Sequence, residues 1–135
     1  MAVNPDLLGR RYPRTASVEV TPERVAAFAG AVKATAPGTG VPPTFVVVVQ
    51  QAALDALLAD PSTGIVLERT VHGEQRFAYR RDLVVGDVLT GELGIIGIRA
   101  LGPAAMVTAE TVIRDAADAV VATATSVLVI GSEEA

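Results

Sequence analysis

The sequence predicts an α+β domain in which a long antiparallel sheet wraps around one buried helix. Residues 42–58 form a single run in which Gln50, Gln51 and Asp55 are the only polar interior positions. From Ile65 onward the chain changes to four long strand-like runs joined by short turns. A helix of about 15 residues is only about 22 Å long, and one that is apolar nearly all round needs a wide cover. A sheet curled around it provides that cover.

The central run is predicted to be a helix rather than a strand. Its four valines at 46–49 favour a strand, but the run continues through alanines and leucines to Leu58, which is too long for a typical strand. Pro42 and Pro43 cannot continue a helix backwards. Thr44 is therefore expected to cap the first free amides of the helix with its hydroxyl.

The remaining elements follow from local patterns. Residues 16–20 alternate enough for a short strand, and Thr21 is expected to cap a helix that begins at Pro22 and runs to about Val32. The long strands are predicted at 66–80, 88–99, 104–114 and 120–130. Because the links between them are short and turn-like, consecutive strands are expected to be antiparallel neighbours.

The length and composition predict one domain, residues 1–135, with a core of ordinary size. The absence of cysteine excludes disulfides, cysteine-ligated metal sites and thiol nucleophiles, and is typical of a reducing compartment. No uncharged apolar run reaches about 18 residues, so no membrane span is expected. We therefore expect a cytoplasmic protein.

Charge and residue counts narrow the function classes. A net charge of −4, three Phe, two Tyr and no Trp argue against a nucleic-acid surface, which requires basic stripes and stacking aromatics. A single histidine excludes a multi-histidine metal site. We expect neither a metal nor a cofactor, and neither nucleic acid nor a membrane as a partner.

Several short motifs carry a family resemblance. In chain order they are Arg11-Tyr12-Pro13, Val20-Thr21-Pro22-Glu23, Ala31-Val32, Pro42-Pro43-Thr44-Phe45, Val71-His72-Gly73-Glu74-Gln75-Arg76-Phe77-Ala78-Tyr79 and Val85-Gly86-Asp87-Val88-Leu89. Together they resemble the actinobacterial branch of the MaoC-like, or (R)-specific enoyl hydratase, family, with the accessory subunits of mycobacterial 3-hydroxyacyl-carrier-protein dehydratases as relatives. The resemblance covers residues 7–130 and implies a single hot-dog domain, in which a sheet wraps a central helix.

The chain departs from this family at the catalytic residues. The family uses an Asp and a His about five residues apart, in a loop over the thioester, to hold the reacting water. The matching stretch here is residues 31–37, where Ala34 stands in the place of the Asp and no histidine follows. The segment between Pro37 and Pro42 is also shorter than the family's overhanging loop. The usual dyad is therefore absent.

The resemblance implies a (3R)-hydroxyacyl thioester dehydratase-like protein of fatty acid metabolism. The expected role is a non-catalytic acyl-binding subunit, or a degenerate homologue without the dyad. Its ligand would be an acyl-coenzyme A or acyl-carrier-protein thioester. Its assembly would be a homodimer, or a heterodimer with a dyad-bearing hydratase subunit, because the family pairs its open sheet edge across a two-fold axis.

His72 and Glu74 are the candidate catalytic residues. His72 is the only histidine, so any imidazole general base must be this one. Glu74 lies two residues further along a predicted strand, hence on the same face, where the two side chains could form an acid–base couple. The alternative is a strand histidine that only packs and donates a hydrogen bond.

The candidate substrate-binding residues lie on the central helix. Free amides at its start, around Pro43, Thr44 and Phe45, would suit a thioester oxygen. Gln50 and Gln51 are expected to contact the substrate.

Two alternatives remain open for the function. The chain could be a free-standing hydratase or acyl thioesterase that uses His72, or that uses Asp55 as acyl-coenzyme A thioesterases use a carboxylate on the central helix. A solvent-facing or capping role for Asp55 is the competing interpretation. The chain could also be a homodimeric acyl-thioester binding protein without chemistry. Asp87 is expected to be a turn residue, and glycines 91, 94 and 97 to mark bends or bulges in a strand.

Overall fold

Two α-helices and five strands are found in residues 3–33 and 41–131, the part of the chain that the computed structural model describes. The helices are α1 (Pro22–Val32) and α2 (Val47–Ala59). The strands are β1 (Val18–Glu19), β2 (Thr70–Tyr79), β3 (Val88–Leu101), β4 (Ala104–Arg114) and β5 (Val120–Ile130). Short 3-10 turns occur at Pro5–Leu7, Pro43–Val46, Pro61–Thr63 and Leu67–Arg69.

The strands form one antiparallel sheet in the order β1-β3-β4-β5-β2. The predicted hairpins between β3 and β4 and between β4 and β5 are confirmed, and the predicted bounds of β4 and β5 match the structure. β2 is shorter than predicted because residues 67–69 form a 3-10 turn before it.

The expectation that β2 and β3 are neighbours is wrong. β2 pairs with β5, at the opposite edge of the sheet from β1. The connecting residues 80–87 are longer than a tight hairpin loop. Leu83 of this connection is buried in the same cluster as Val20, and the amide of Gly86 donates to the carbonyl of Val20 at 2.8 Å. The connection therefore crosses to the β1 side of the sheet instead of turning back.

Helix α1 begins as predicted. The Thr21 hydroxyl accepts a hydrogen bond from the amide of Arg24 at 3.1 Å, and Pro22 occupies the first helical position. The helix ends at Lys33, whose positive φ of 55° stops further helical hydrogen bonding.

The start of the central helix differs from the prediction. The 3-10 turn Pro43–Val46 comes first, and no side chain caps either this turn or α2. Thr44 lies inside the turn with its side chain exposed, so its predicted capping role is wrong. The physical reason is Pro43, whose fixed φ suits the first position of a helical turn and lets the turn begin before Thr44.

The sheet covers one side of α2 closely. The buried residues of α2 are Val49, Gln50, Ala53, Leu54 and Leu57. Gly91 of β3 packs closely against α2. A Cβ added at Gly91 would lie 3.0 Å from Cγ2 of Thr111 and 3.1 Å from Cγ1 of Val49. Gly91 is therefore a close-packing position.

The other side of α2 is exposed, including Gln51, Ala52, Asp55 and Ala56. The expectation of a helix buried nearly all round is thus wrong for a single chain, because the sheet curls around only part of the helix. No helix in residues 3–33 and 41–131 is both long and apolar enough to cross a membrane.

Candidate functional site

A β-bulge at Gly73 decides where the side chains of β2 point. His72 pairs with Leu128 of β5, whereas Glu74 pairs with the next residue, Val127, so Gly73 is an extra residue in the strand. The extra residue reverses the alternation of side chains between the two faces of the sheet. His72 consequently faces α2, whereas Glu74 faces away from it.

The predicted couple between His72 and Glu74 is therefore not formed. The two residues line different pockets on opposite faces of the sheet. Oε1 of Glu74 instead pairs with Nε of Arg76 at 3.1 Å. The expectation that His72 and Glu74 share a face is wrong, because counting residues along a strand cannot reveal a bulge.

His72 lies in an apolar pocket between α2 and β2. This α2–β2 pocket has a volume of about 210 Å³ and is lined by Gln51, Leu54, Leu58, Leu67, Thr70, His72 and Leu128. Its polar lining groups are an amide, a hydroxyl and an imidazole, and it has no carboxylate lining residue. The structure thus brings together two predicted site residues, Gln51 and His72, on walls that otherwise consist of four leucines and Thr70.

Asp55 is placed beside this pocket but does not line it. It lies one helical turn after Gln51, whose Nε2 donates a hydrogen bond to Oδ1 of Asp55 at 2.9 Å. Asp55 is exposed on the outer side of α2. Its contact in the structure is therefore with Gln51, at the rim of the pocket.

Gln50 belongs to a buried polar group that we call the glutamine–serine cluster, made of Gln50, Gln75 and Ser126. Nε2 of Gln50 donates to Oε1 of Gln75 at 2.9 Å and also to Oγ of Ser126. Oγ of Ser126 in turn donates to Oε1 of Gln75 at 2.6 Å. Gln50 is only 1 % exposed, so the cluster ties the helix to two strands away from water.

One atom of this cluster lacks a hydrogen bond. Oε1 of Gln50 is buried and accepts none from the described residues. A buried carbonyl without a hydrogen bond lowers the stability of the fold by about 1–3 kcal/mol, so the cluster is less favourable than a well-packed apolar core. Gln75 and Ser126 were not among the predicted site residues. Regular alternation along β2 puts Gln75 on the same face as Phe77 and Tyr79, and the sheet register places Ser126 opposite it.

At the start of the central helix, Phe45 is a core residue. It is 1 % exposed, and its ring makes an edge-to-face contact with Phe28 of α1 at a centroid distance of 5.5 Å. The amide of Phe45 donates to the carbonyl of Pro42 at 3.0 Å, so it is not free for a thioester oxygen. Of the predicted substrate-binding residues here, Pro43 and Thr44 are exposed at the surface.

Tyr79 packs in the same cluster as Phe45. Burial raises the pKa of Tyr79 to about 12, so the phenol stays neutral at physiological pH. Its hydroxyl is buried. The backbone of Val46 lowers this pKa, but by less than burial raises it.

A polar cluster closes the far end of α2. Oδ2 of Asp60 accepts from the Tyr12 hydroxyl at 2.7 Å and pairs with Nη1 of Arg10 at 3.1 Å. Oδ1 of Asp60 accepts from the hydroxyl of Ser62 at 2.7 Å. These hydrogen bonds, led by that of Tyr12, hold the pKa of Asp60 well below its usual range. Tyr12, from the Arg-Tyr-Pro motif, thus anchors the N-terminal segment to the end of the central helix.

This low pKa predicts acid-sensitive stability. Because the pKa of Asp60 is lower in the folded state, its contribution to stability is complete above the unfolded value near 3.9 and is lost as the pH falls below it. We expect Asp60→Asn to lower the melting temperature near pH 6 and to make it fall less steeply than that of the wild type between about pH 5 and pH 2.

Thermal unfolding followed by circular dichroism across this range tests the prediction. Asp82→Asn, at an exposed position, is the control and should keep the wild-type slope. Equal slopes for Asp60→Asn and the wild type would contradict the role given to Asp60.

Asp87 is a turn residue, as predicted. Its Oδ2 accepts the amide of Val84 at 2.9 Å, and its two carboxylate oxygens each accept from Arg81 at 2.9 Å. The hydrogen bond from Arg81 also lowers the pKa of Asp87. The preceding Gly86 has a φ of +102°, which glycine adopts readily.

Within residues 3–33 and 41–131, no group of three or more His, Cys, Asp or Glu side chains could hold a metal ion.

The sequence has relatives among proteins of actinobacteria. A UPF0336 protein of Leifsonia xyli subsp. xyli is 44% identical over 146 residues, which cover 98% of each chain. A UPF0336 protein of Clavibacter michiganensis subsp. michiganensis is 43% identical over 149 residues, which cover 100% of each chain.

Solved structures share the fold. The C-terminally truncated HadBC (3R-hydroxyacyl-ACP dehydratase) complex of Mycobacterium tuberculosis aligns with a TM-score of 0.74 at 24% identity, covering 92% of this chain and 97% of that chain. The MaoC-like dehydratase of Rhodospirillum rubrum aligns with a TM-score of 0.65 at 16% identity, covering 93% of each chain. The predicted hot-dog fold is thereby confirmed.

The matching family model is described as the FAS1-like, dehydratase domain region, and it matches residues 6–124. With this match over most of its length, the chain belongs to the FAS1-like dehydratase domain family, the MaoC-like group of hot-dog proteins.

Proposed function

We propose that this chain is the acyl-binding, non-catalytic subunit of a (3R)-hydroxyacyl thioester dehydratase. The observation that carries the proposal is the α2–β2 pocket, whose leucine walls suit an aliphatic chain and which has no carboxylate lining residue. His72, the only imidazole in the chain, lines this pocket without a carboxylate partner in the described residues. In this proposal the acid–base pair comes from another chain.

The packing of α2 supports this position for the acyl chain. Val49 lies against Gly91 and Thr111 so closely that an added methyl group would not fit without movement. A chain of methylenes consequently has no room beneath this part of the helix. The α2–β2 pocket offers it an apolar surface from which water can be displaced.

The sequence at the positions expected to carry the Asp–His dyad also supports the proposed non-catalytic role. Ala34 stands at the expected Asp position, and it lies outside the described residues. The alignment with the Clavibacter relative extends over 149 positions, whereas this chain has 135 residues, so that relative contains residues that this chain lacks. A partner that supplies both the dyad and the cover over the thioester would compensate for these differences.

The edge strand β2 is the proposed site of assembly. β2 pairs with β5 on one side and forms an edge of the sheet on the other. The side chain of Val71 on this strand is 65 % exposed. Edge strands with exposed apolar residues favour pairing with a second chain, here either a dyad-bearing hydratase subunit or a second copy.

A binding experiment tests the acyl pocket. Leu67 is 64 % exposed and lines the pocket, so Leu67→Asp should leave the fold intact while placing a charge against the chain. We expect it to weaken the binding of S-octyl pantetheine thioether, an unreactive analogue, about tenfold or more, since burying one leucine side chain contributes about 1.5–3 kcal/mol. Isothermal titration calorimetry measures the affinity.

The matched control is Leu8→Asp. Leu8 is 57 % exposed and is not a lining residue of the pocket, so this variant should bind like the wild type. An unchanged affinity for Leu67→Asp, or an equal loss for Leu8→Asp, would contradict the placement of the acyl chain.

A further inference from the structure

The α2–β2 pocket and the glutamine–serine cluster are consecutive along the same three elements. On each element a pocket residue is followed by a cluster residue in the direction of the start of α2. The pairs are His72 and Gln75 on β2, Leu128 and Ser126 on β5, and Leu54 and Gln50 on α2. The register of the sheet aligns the strand residues, because His72 pairs with Leu128 and Gln75 pairs with Ser126. The cluster therefore lies next to the pocket along β2, β5 and α2, on the side of the start of α2.

The cluster fills this space with polar atoms. Gln50 and Ser126 are both buried, and the three side chains are joined by hydrogen bonds. The methyl end of an aliphatic chain would meet amide and hydroxyl groups there, including the buried Oε1 of Gln50, which accepts no hydrogen bond from the described residues. Contact with a methyl group leaves such an oxygen unsolvated, which opposes further insertion of the chain.

We infer that the glutamine–serine cluster is the end wall of the acyl pocket and limits the length of the acyl chain that binds. This inference rests on the proposed function. The pocket volume of about 210 Å³ is below the range of about 300–1,000 Å³ that is typical of sites for drug-sized ligands. The ligand class is accordingly a thioester of a short or medium-length acyl chain.

Gln50 is the residue that sets this limit. It projects from the helix across to both strands, and its truncation to alanine removes four heavy atoms from the wall. Ser126 still donates to Gln75 at 2.6 Å when Gln50 is shortened, so neither strand residue loses its remaining partner. The substitution also removes the unsatisfied oxygen of Gln50. The wall can thus be opened while the strand side chains stay paired.

The test determines the alkyl-chain length beyond which further methylenes no longer increase the binding affinity, in the wild type and in Gln50→Ala. The probes are S-alkyl pantetheine thioethers from butyl to hexadecyl, titrated by calorimetry into the full-length protein. While a methylene finds room in the pocket, it should increase the affinity about fourfold, and the increase should stop where the wall is met. We expect Gln50→Ala to move this limit by about two to four carbons, so that a chain just beyond the wild-type limit binds about tenfold tighter or more.

Val49→Ala is the matched control, since Val49 is a buried α2 residue that faces Gly91 and does not line the pocket. It should keep the wild-type limit. Gln50→Ser, which retains a hydroxyl toward Gln75, carries the same test if the alanine variant does not fold.

The outcomes separate this inference from the proposed function. Failure of every thioether to bind the wild type would overturn acyl binding itself. Binding with the same limit in the wild type and in Gln50→Ala, or an equal shift in Val49→Ala, would overturn the end wall alone.

Discussion

Phe45→Ala is expected to lower the free energy of unfolding by about 3–5 kcal/mol. Phe45 is 1 % exposed and lies where the central helix begins. Its ring contacts Phe28 of α1, and it belongs to the core cluster that also contains Leu89 of β3 and Val121 of β5. Truncation would leave a cavity where helix α1, the helix start and the sheet meet. A typical domain is stable by only 5–15 kcal/mol, so this loss is large.

Urea unfolding monitored by circular dichroism measures this change. Val48→Ala is the control, because Val48 lies three residues further along but is 36 % exposed. It should change the free energy of unfolding by no more than about 0.5–1 kcal/mol. A loss below about 1 kcal/mol for Phe45→Ala would show that the ring is not part of a close-packed core.

Much of the fold could be predicted from the sequence because its strongest patterns are local. Strands β4 and β5 alternate apolar and small polar residues between short turns, and their bounds match the prediction. The start of α1 was predictable because Thr21, Pro22 and Glu23 occupy the positions where a cap, a proline and an acidic residue each stabilise a helix.

The errors arose where long-range contacts override local patterns. The pairing of β2 with β5 depends on the path of residues 80–87 across the end of the sheet, to which Leu83 contributes by burial. The exposed side of α2 contains small apolar residues like those of its buried side, with Ala52 and Ala56 exposed and Ala53 buried. Composition alone therefore could not show how far the sheet wraps the helix.

The candidate site was predicted in part for the same reason. Gln51 and His72 do line one pocket, and Gln50 lies next to it. The bulge at Gly73 places Glu74 and His72 on opposite faces of the sheet, and a single sequence gives no signal for that extra residue. Ser126 is one of several small polar residues on β5, and only the sheet register shows that it faces Gln75.

The central claim is that this chain binds the acyl group and a partner performs the chemistry. The purified chain should therefore hydrate trans-2-enoyl thioesters no faster than its His72→Ala variant. General acid–base groups contribute about 10²–10⁴-fold to such rates, so their presence would be easily detected. Added to a MaoC-like subunit that has the Asp–His dyad, and that is encoded by a neighbouring gene, the chain should raise turnover well above that of the subunit alone.

The most direct measurement is the rate of enoyl thioester hydration by the chain alone, by His72→Ala, and by each of them mixed with the dyad-bearing subunit. Without the subunit we expect no turnover. With it, we expect the wild type and His72→Ala to stimulate turnover equally, because His72 takes no part in proton transfer. Turnover by the chain alone that His72→Ala abolishes would contradict the account and identify a free-standing enzyme. A subunit that gains nothing from this chain would contradict its role in a dehydratase.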